Sequence, residues 1–368
     1  MKKKVSDNLT SWVALHLVPG LGSIALKHLL DKFGNPRSIL QATLSELREV
    51  EGLRKEVAHA IAGKEFESDP EKILRKVKEY GARIITFDDP GYPRTLKEIH
   101  DPPMLLYVLG KNIPNNLTFL AVVGSRYPTT YGLKAAEEIA KGLAERGIGV
   151  VSGMARGIDS AAHWGCLEGN RMTIAVLGTG IDRIYPRPNK KLYHQIALKG
   201  AVISEFPMGT PPEPKNFPIR NRIISGLSKG VVVVEATRKS GSLITASLAL
   251  EQGRDVFAVP GSINSFKSTG CHVLIKQGAC LVENSDDILE ELGLNYEFTM
   301  KSRPPADDAS PPLPESEKSL YDLIGDYPVH IDHIVRQSKM DPGEVSGILM
   351  RMELKGVIRQ LHGKMFVK

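Results

Sequence analysis

The stretch FLAVVGSRYPTTYG, residues 119–132, decides the fold. Its first five residues form a continuous apolar run, which predicts a strand that is buried on both faces. The chain then turns at Gly124, and we expect a helix to begin near Thr130. A glycine turn between a buried strand and a helix is a common phosphate-binding position in α/β proteins. This turn lacks the G-x-G-x-x-G spacing and contains Arg126, so we do not expect a dinucleotide as its ligand.

The same alternation of strand and helix extends from about residue 103 to residue 292. The candidate strands are MLLYVLG, FLAVVG, GVVSG, TIAVLG, AVISE, GVVVVEA, DVFAVPG and ACLVEN. Amphipathic segments such as residues 131–146 and 242–252 lie between them and predict helices. We therefore expect an α/β fold with a doubly wound, mostly parallel, Rossmann-like sheet.

A helical domain is predicted for residues 1–66, before a connector and the Rossmann-like domain in residues 67–298. It contains a short repeat at an offset of 32 residues, in which Val18, Gly20 and Leu21 match Val50, Gly52 and Leu53. A glycine turn between helices is typical of a helix-hairpin-helix domain, whose turn N–H groups contact DNA phosphates. A structural, SAM-like helical domain is the alternative. We favour it because Pro19 removes a donor and Glu51 adds a negative charge.

The end of the chain predicts a second small domain. Residues 299–314 are rich in Pro, Ser and Asp and are interpreted as a linker. Helices are expected at residues 315–325, 330–337 and 343–355, followed by a hairpin in GVIRQLHGKMFVK. Three helices and a hairpin within residues 315–368 indicate a winged-helix domain.

The distribution of charge favours an anionic partner for the middle of the chain. The net charge is +6 and the pI is about 9.0. Residues 183–239 contain eleven Lys or Arg against three Glu, whereas residues 313–368 contain eight of each sign. The basic middle segment is therefore the part expected to contact nucleic acid.

The three cysteines, Cys166, Cys271 and Cys280, form no C-x-x-C motif, so neither a zinc site nor a redox pair is expected. We expect them to be buried and reduced in a cytoplasmic protein. The first residues lack the apolar core of a signal peptide, and no apolar run is long enough to cross a membrane.

Three glycine-rich turns follow candidate strands, and their backbone N–H groups could approach an anion closely. They are GSR at 124–126, SGMARGID at 152–159 and GTGIDRIYP at 178–186. The candidate ligand-binding residues in them are Gly124, Ser125, Arg126, Ser152, Gly153, Arg156 and Gly157. A surface salt bridge, for example with Asp159, is the alternative for either arginine. We favour a phosphate contact for Arg126 and leave Arg156 open.

The stretch KNFPIRNRIISGLS, residues 215–228, combines bases with an aromatic residue. This combination suits single-stranded nucleic acid, because the ring can stack on a base while cations follow the backbone. Arg220 and Arg222 cannot share one helix face, so one of them is expected to have a structural role. The candidate residues are Lys215, Phe217, Arg220, Asn221 and Arg222.

The stretch RKSGSLITASLALEQGR, residues 238–254, is a Gly/Ser loop that opens a helix. Its small side chains and the positive helix end favour an anion, although Ser240 or Ser242 could simply cap the helix. The candidate residues are Lys239, Ser240, Gly241 and Ser242.

Catalytic motifs are missing from the sequence. There is no G-x-x-x-x-G-K-[ST], no G-x-S-x-G and no H-E-x-x-H. His163 and His194 have no nucleophile or carboxylate at motif spacing, so each is interpreted as a core or surface histidine. We expect no enzymatic activity, no cofactor and no metal.

The motifs together resemble the DNA-processing protein A (DprA/Smf) family. The resemblance covers roughly residues 80–292 through the glycine turns, KNFPIRNRIISGLS, the K-S-G-S helix and STGCHVLIKQGAC. It implies a single-stranded-DNA-binding protein that protects incoming strands, loads the recombinase RecA during natural transformation and dimerises through its Rossmann-like domain. The residues matching the family's DNA pocket are Arg126, Lys215, Phe217, Arg220, Arg222 and Lys239 to Ser242. His272 stands where the family usually has Asn, which leaves the role of that amide open.

Two other functions are weighed against this one. A nucleotide-processing enzyme of the lysine-decarboxylase-like group would need P-G-G-x-G-T-x-x-E, and the K-S-G-S segment lacks that pattern. A transcription regulator would read duplex DNA through the winged helix, whose balanced charge favours a protein-contacting role instead.

Overall fold

The computed structural model describes residues 2–294, 314–325, 328–361 and 363–368. It divides into two compact units, one formed by most of residues 2–294 and one that contains the residues after 314. The predicted linker at 299–314 lies outside the described residues except for Pro314, the N-cap of the following helix. Across the described part of the chain, every helix is too short or too polar to cross a membrane.

One sheet organises the larger unit. Its strands are β1 Arg83–Thr86, β2 Leu105–Gly110, β3 Phe119–Gly124, β4 Gly149–Ser152, β5 Thr173–Leu177, β6 Ala201–Ser204, β7 Gly230–Val234, β8 Asp255–Ala258 and β9 Cys280–Leu281. Their order is β1-β2-β6-β5-β4-β3-β7-β8-β9. Strands β3 to β9 are parallel, and β1 and β2 add an antiparallel pair at one edge. The predicted doubly wound, mostly parallel sheet is confirmed.

Helices cover both faces of this sheet. They are α7 Arg94–Lys97, α8 Thr130–Glu145, α9 Ile158–Glu168, α10 Lys190–Lys199, α11 Asn216–Gly226, α12 Gly241–Glu251, α13 Thr269–Lys276 and α14 Ser285–Glu291. Alternate residues of β5 enter different cores: Ile174 and Val176 pack in the core that includes α11, and Ala175 and Leu177 in the core that includes α10. Because both faces are buried, the strands appear in the sequence as unbroken apolar runs.

The N-terminal helices precede the sheet and share one of its cores. They are α1 Lys2–His16, α2 Ser23–Phe33, α3 Pro36–Gln41, α4 Leu44–Arg48, α5 Lys55–Ala62 and α6 Pro70–Glu79. Trp12 and Leu15 of α1 belong to the same cluster of buried side chains as Met104 and Tyr107. The predicted boundary at residue 66 therefore separates helical from mixed structure within a continuous core.

The repeat at an offset of 32 residues is the same turn used twice. Gly20 and Gly52 have φ angles of 74° and 75°, a left-handed conformation that glycine adopts without strain. In both turns the leucine N–H donates to the valine carbonyl three residues earlier, at 3.2 Å. The next helices begin at Ser23 and Lys55, which keeps the same offset.

The smaller unit is a winged helix. It contains α15 Glu315–Leu323, β10 Val329–His330, α16 Ile331–Ser338, α17 Pro342–Leu354, β11 Arg359–Leu361 and β12 Met365–Val367, with strand order β10-β12-β11. The predicted helices and hairpin are present. Strand β10 was missed because two residues carry no recognisable alternation of polar and apolar side chains. Side chains including Ile334, Ile348 and Phe366 form its core.

Candidate nucleic-acid interface

The strand order changes direction beside β3. From β3 the chain winds outward through β4, β5 and β6, and then returns to the other side of β3 as β7. The loops after β3 and β7 therefore leave the sheet in opposite directions, and a crevice opens between them at the carboxyl ends of these two strands. The first of these loops contains GSR, and the second contains K-S-G-S.

The crevice holds two adjoining cavities of about 570 and 700 Å³. We call them together the switch-point groove. The residues that line both cavities are Arg126, Tyr127, Ala155, Tyr185, Pro212, Phe217 and Arg220. The groove therefore joins the loops after β3, β4 and β5 to the first turns of α11.

Arg126 is exposed at the middle of the groove. Its guanidinium carbon lies 5.5 Å from the centroid of the Phe217 ring. No carboxylate of a described residue lies within ion-pair distance of it, so the alternative of a surface salt bridge is not formed in the described part of the chain. A guanidinium in this position presents several donors to phosphate oxygens.

Phe217 lies in the first turn of α11, with its ring partly buried. The ring packs on Gly178, where an added Cβ would lie 2.8 Å from Cδ1 of Phe217. The Tyr185 ring lies 5.7 Å away between centroids, and 43% of that side chain is exposed. The two rings form an open aromatic face beside Arg126, of the kind on which nucleic-acid bases stack.

Arg220 is buried beneath the groove, with 4% of its surface exposed. Its guanidinium donates to the carbonyl of Gly153 at 2.8 Å, to the carbonyl of Val176 and to Oδ1 of Asn221. Burial lowers the pKa of Arg220 to about 10, although the nearby Asp159 carboxylate favours the charged form. Arg220 thus ties α11 to the loop after β4 and to strand β5, and only its edge reaches the groove.

Gly153 is required by this arrangement, because a Cβ there would lie 2.5 Å from the Arg220 guanidinium. Asp159 is also buried, and its Oδ2 accepts from the N–H groups of Gly153 and Ala155 at 3.1 and 3.3 Å. Burial raises the pKa of this carboxyl. The carboxylate therefore shapes the loop after β4, and Arg156 remains exposed at the edge of the smaller cavity.

Arg222 points away from the groove. Its guanidinium donates to Asp101 at 2.8 Å and to Glu205 at 2.6 Å, with 7% of the residue exposed. Burial opposes the charged form, but the two carboxylates outweigh it and raise the pKa of Arg222. The sequence argument that Arg220 and Arg222 take different faces holds. Both are buried, however, and we do not place Arg222 in the interface.

The structure brings only some of the remaining predicted residues to the groove. Gly124, Ser125 and Asn221 line the larger cavity and Gly153 lines the smaller one, whereas Ser152, Gly157, Lys215 and Lys239 line neither. Lys215 is exposed and pairs with Glu213 at 2.8 Å, and Lys239 is exposed in the loop before α12. Ser152 is fully buried, where its hydroxyl donates to the carbonyl of Val122 at 2.6 Å.

The K-S-G-S loop ends at the N-terminus of α12. Ser240 occupies the N-cap position but forms no side-chain cap hydrogen bond, and its hydroxyl instead pairs with that of Ser242 at 2.9 Å. Ser240, Gly241 and Ser242 all line the larger cavity. The positive end of α12 therefore faces the groove, as the sequence predicted for an anion-binding helix terminus.

Further side chains that were not among the predicted site residues also reach the groove. Tyr185 belongs to the third glycine turn and Arg187 follows it, Tyr127 follows GSR, and Phe266 comes from the loop after β8. The signal for the first three was an aromatic or basic residue in or directly after a glycine turn. Phe266 has no such signal, because its loop reaches the groove only through the tertiary fold.

His272 donates from Nε2 to the carbonyl of Gly261 at 3.0 Å. The imidazole therefore anchors the loop after β8 through a side-chain donor.

The cysteines differ in burial. Burial raises the pKa of Cys166 to about 12 and that of Cys271 to about 11, so both thiols are protonated and unreactive. The expectation that all three are buried is wrong for Cys280, which is partly exposed because it lies on the edge strand β9.

Comparison with known proteins identifies the family. Residues 83–293 match the model of DNA recombination-mediator protein A, and residues 304–364 match the DprA winged helix domain. The chain is 36% identical over 388 residues to Protein Smf of Synechocystis, covering 96% of both chains. The structure of DNA processing protein A from Streptococcus pneumoniae superposes with a TM-score of 0.68 at 38% identity, covering 76% of this chain and 95% of that one.

DNA processing protein A from Helicobacter pylori, whose structure concerns its single-stranded DNA binding mode, has a TM-score of 0.53 at 30% identity. That match covers 58% of this chain and 97% of the other. The match to residues 83–293 spans all nine strands of the sheet and the loops that form the switch-point groove. The chain belongs to the DNA recombination-mediator protein A family.

Proposed function

We propose that this chain binds single-stranded DNA in the switch-point groove and acts without catalysis. The observation that carries the proposal is the juxtaposition of Arg126, which has no ion-pair partner among the described residues, with the aromatic face of Phe217 and Tyr185. Single-stranded DNA has phosphates that can contact Arg126 and unpaired bases that can stack on the aromatic face, whereas the bases of a duplex are already stacked on one another. The single-strand binding of the Helicobacter pylori relative supports the same assignment.

The titratable groups near the groove support a binding function. Asp159 is engaged by two loop N–H groups, and burial lowers the pKa of His163 to about 3. Neither group is placed to exchange a proton with a molecule in the groove at neutral pH. We therefore favour binding over a nucleotide-processing activity.

The biological role that we infer is protection of incoming single strands in the cytoplasm and loading of RecA during natural transformation. A groove that contacts backbone and stacks bases covers a strand without reading its sequence. The loading role is tested by measuring the rate at which RecA filaments form on single-stranded DNA, with and without this chain. A rate that the chain leaves unchanged or reduces would remove the loading role while leaving strand binding intact.

A homodimer through the Rossmann-like domain is part of the proposal. Strand β9 is an edge of the sheet and contains Leu281, which is 47% exposed, and Leu250, 61% exposed, lines the same cavity as Cys280 of this strand. Edge strands with exposed apolar side chains are suited to pairing with another copy. We expect Leu281→Asp with Leu250→Asp to give a monomer by light scattering, and a dimer in that variant would place the interface elsewhere.

The decisive experiment compares single strand, duplex and mononucleotide as competitors for a labelled oligonucleotide at two salt concentrations. Single strand should compete best, and Phe217→Ala should weaken binding by about 1–3 kcal/mol. Leu198→Ala is the control for a lost apolar side chain, because Leu198 is 68% exposed near the end of α10, before β6 and therefore at the opposite end of the parallel strands. Preference for the mononucleotide would instead favour the enzyme.

A further inference from the structure

The rim of the switch-point groove has a second group of exposed apolar side chains. Tyr127 is 74% exposed, Phe266 is 69% exposed and Ile244 is 44% exposed. All three line the larger cavity. Large rings with most of their surface in water contribute little to the core, so their clustering at a cavity indicates a binding surface.

The two aromatic residues are held together by a backbone contact. Nζ of Lys267 donates to the carbonyl of Tyr127 at 2.5 Å, which ties the loop after β8 to the GSR loop. Phe266 begins a short 3₁₀ turn, Phe266–Ser268, and its carbonyl accepts from the Thr269 hydroxyl at 2.7 Å. The rings therefore project from a fixed frame, as a stacking surface requires.

The groove has two distinguishable ends. Gly178 and Arg187 line only the smaller cavity, whereas Ile244 and Phe266 line only the larger one. Arg126 lines both cavities and lies between these ends. A ligand long enough to fill the groove must therefore pass Arg126 and reach the aromatic residues of the rim.

We propose that Tyr127 and Phe266 form a second base-stacking site, which extends the path of the strand beyond Arg126. This inference rests on the proposed function. One base stacks on Phe217 and Tyr185, a following phosphate contacts Arg126, and a later base stacks on Tyr127 and Phe266. Lys267 lines the same cavity and retains further donors for a phosphate, because an ammonium group has three.

A nucleic acid fits this surface better than an apolar protein segment does. The larger cavity mixes the exposed rings with the positive end of α12 and with Arg126. An apolar partner would bury those donors without acceptors, which costs free energy. A single strand supplies phosphate oxygens to the donors and bases to the rings.

The test measures affinity for oligonucleotides of increasing length, from about four to about sixteen nucleotides, the range of site sizes known for single-strand binders. We expect Tyr127→Ala with Phe266→Ala to bind the shortest strand normally and to bind long strands about tenfold to a hundredfold more weakly. Tyr127→Phe with Phe266→Tyr should restore the affinity. Leu198→Ala removes an apolar side chain of similar exposure, 68%, from α10 and should change nothing.

The outcomes separate this inference from the function on which it rests. If the wild type shows no preference for single strands, the proposed function fails. If Phe217→Ala weakens binding at every length and the double alanine variant weakens none, only the second stacking site fails. Equal loss on short and long strands would make the rim part of the first site and would also overturn the inference.

Two long strands, one with abasic residues only at its 5′ end and one with them only at its 3′ end, provide an independent readout. The wild type should bind one of the two as weakly as the double alanine variant binds the intact long strand, and that variant should not distinguish this strand from the intact one. A double alanine variant that binds all strands normally but no longer promotes RecA filament formation would identify the rim as a protein-binding surface and overturn the proposal.

Discussion

The guanidinium of Arg126 lies 5.5 Å from the centre of the Phe217 ring. The first residue lies in the loop after β3 and the second in the first turn of α11, so the fold brings a phosphate-binding group and a stacking group together at the switch point. At this distance the cation and the ring also attract each other weakly, which orders both side chains before a strand arrives.

Arg126→Ala should reduce the salt dependence of single-strand binding, because one phosphate contact is lost. The slope of log affinity against log salt should become shallower by about 0.7. Arg126→Lys keeps the charge and should retain most of the slope while it loses the planar donor pattern. The measurement is a salt titration by fluorescence anisotropy. An unchanged slope in Arg126→Ala would show that this loop does not contact the strand.

Gly178→Ala should weaken single-strand binding by displacing the Phe217 ring. The new methyl group would lie 2.8 Å from Phe217, so the ring must shift from its position beside Tyr185. We expect a loss of about 1 kcal/mol, at the lower end of the value for one stacked base. Titration with an oligonucleotide measures it, and combining the change with Phe217→Ala should add no further loss.

Arg222→Ala should destabilise the fold and leave the salt dependence of binding unchanged. The substitution leaves Glu205, whose side chain is 15% exposed, and Asp101, whose side chain is 37% exposed, without their common partner. We expect a loss of about 1–3 kcal/mol, the cost of leaving a partly buried acceptor unpaired. Chemical denaturation measures the free energy of unfolding. A variant of normal stability with a shallower salt slope would return Arg222 to the DNA interface.

His163 should make the protein less stable in mild acid. Nδ1 donates to the Thr173 hydroxyl at 2.7 Å, which itself donates to the carbonyl of Val150, and Nε2 is buried without a partner. Burial lowers the pKa of His163 to about 3, so below pH 6.5 the unfolded chain takes up a proton that the folded chain does not. Stability should fall by roughly 1 kcal/mol per pH unit between 6.5 and about 3.

The measurement for His163 is the free energy of unfolding as a function of pH. His163→Phe should flatten the decrease in this range, because the group that titrates only in the unfolded state is gone. His194→Phe replaces an exposed histidine of α10 and serves as the control. An equally steep decrease in His163→Phe would assign the effect to other groups.

Much of the fold could be predicted because its signals are local. Unbroken apolar runs gave the parallel strands, since side chains covered on both faces cannot alternate with polar ones. Glycine turns after those runs located the carboxyl edge of the sheet. The short strand β10 and the antiparallel position of β1 could not be predicted, because two-residue strands and strand direction depend on partners distant in the chain.

The site was predicted in its motifs and less well in its individual side chains. Arg126 and Phe217 lie at the groove, as their loops indicated. Arg220 and Arg222 were counted with the basic surface, but burial and fixed partners remove most of their charge from it. Sequence spacing shows that two side chains leave a helix in different directions. It does not show what either of them meets.

The sequence by itself determined the family, the parallel sheet and the loops that surround the switch point, because a continuous stretch of residues indicates each of them. Only the tertiary structure decided which cations face the groove and which aromatic residues join it. Phe266 illustrates the difference: its loop carries no phosphate-binding pattern, and it reaches Tyr127 through the contact of Lys267. Exposure and proximity across the sheet edge depend on how β3, β7 and β8 are ordered, and that order arises from packing of the whole chain.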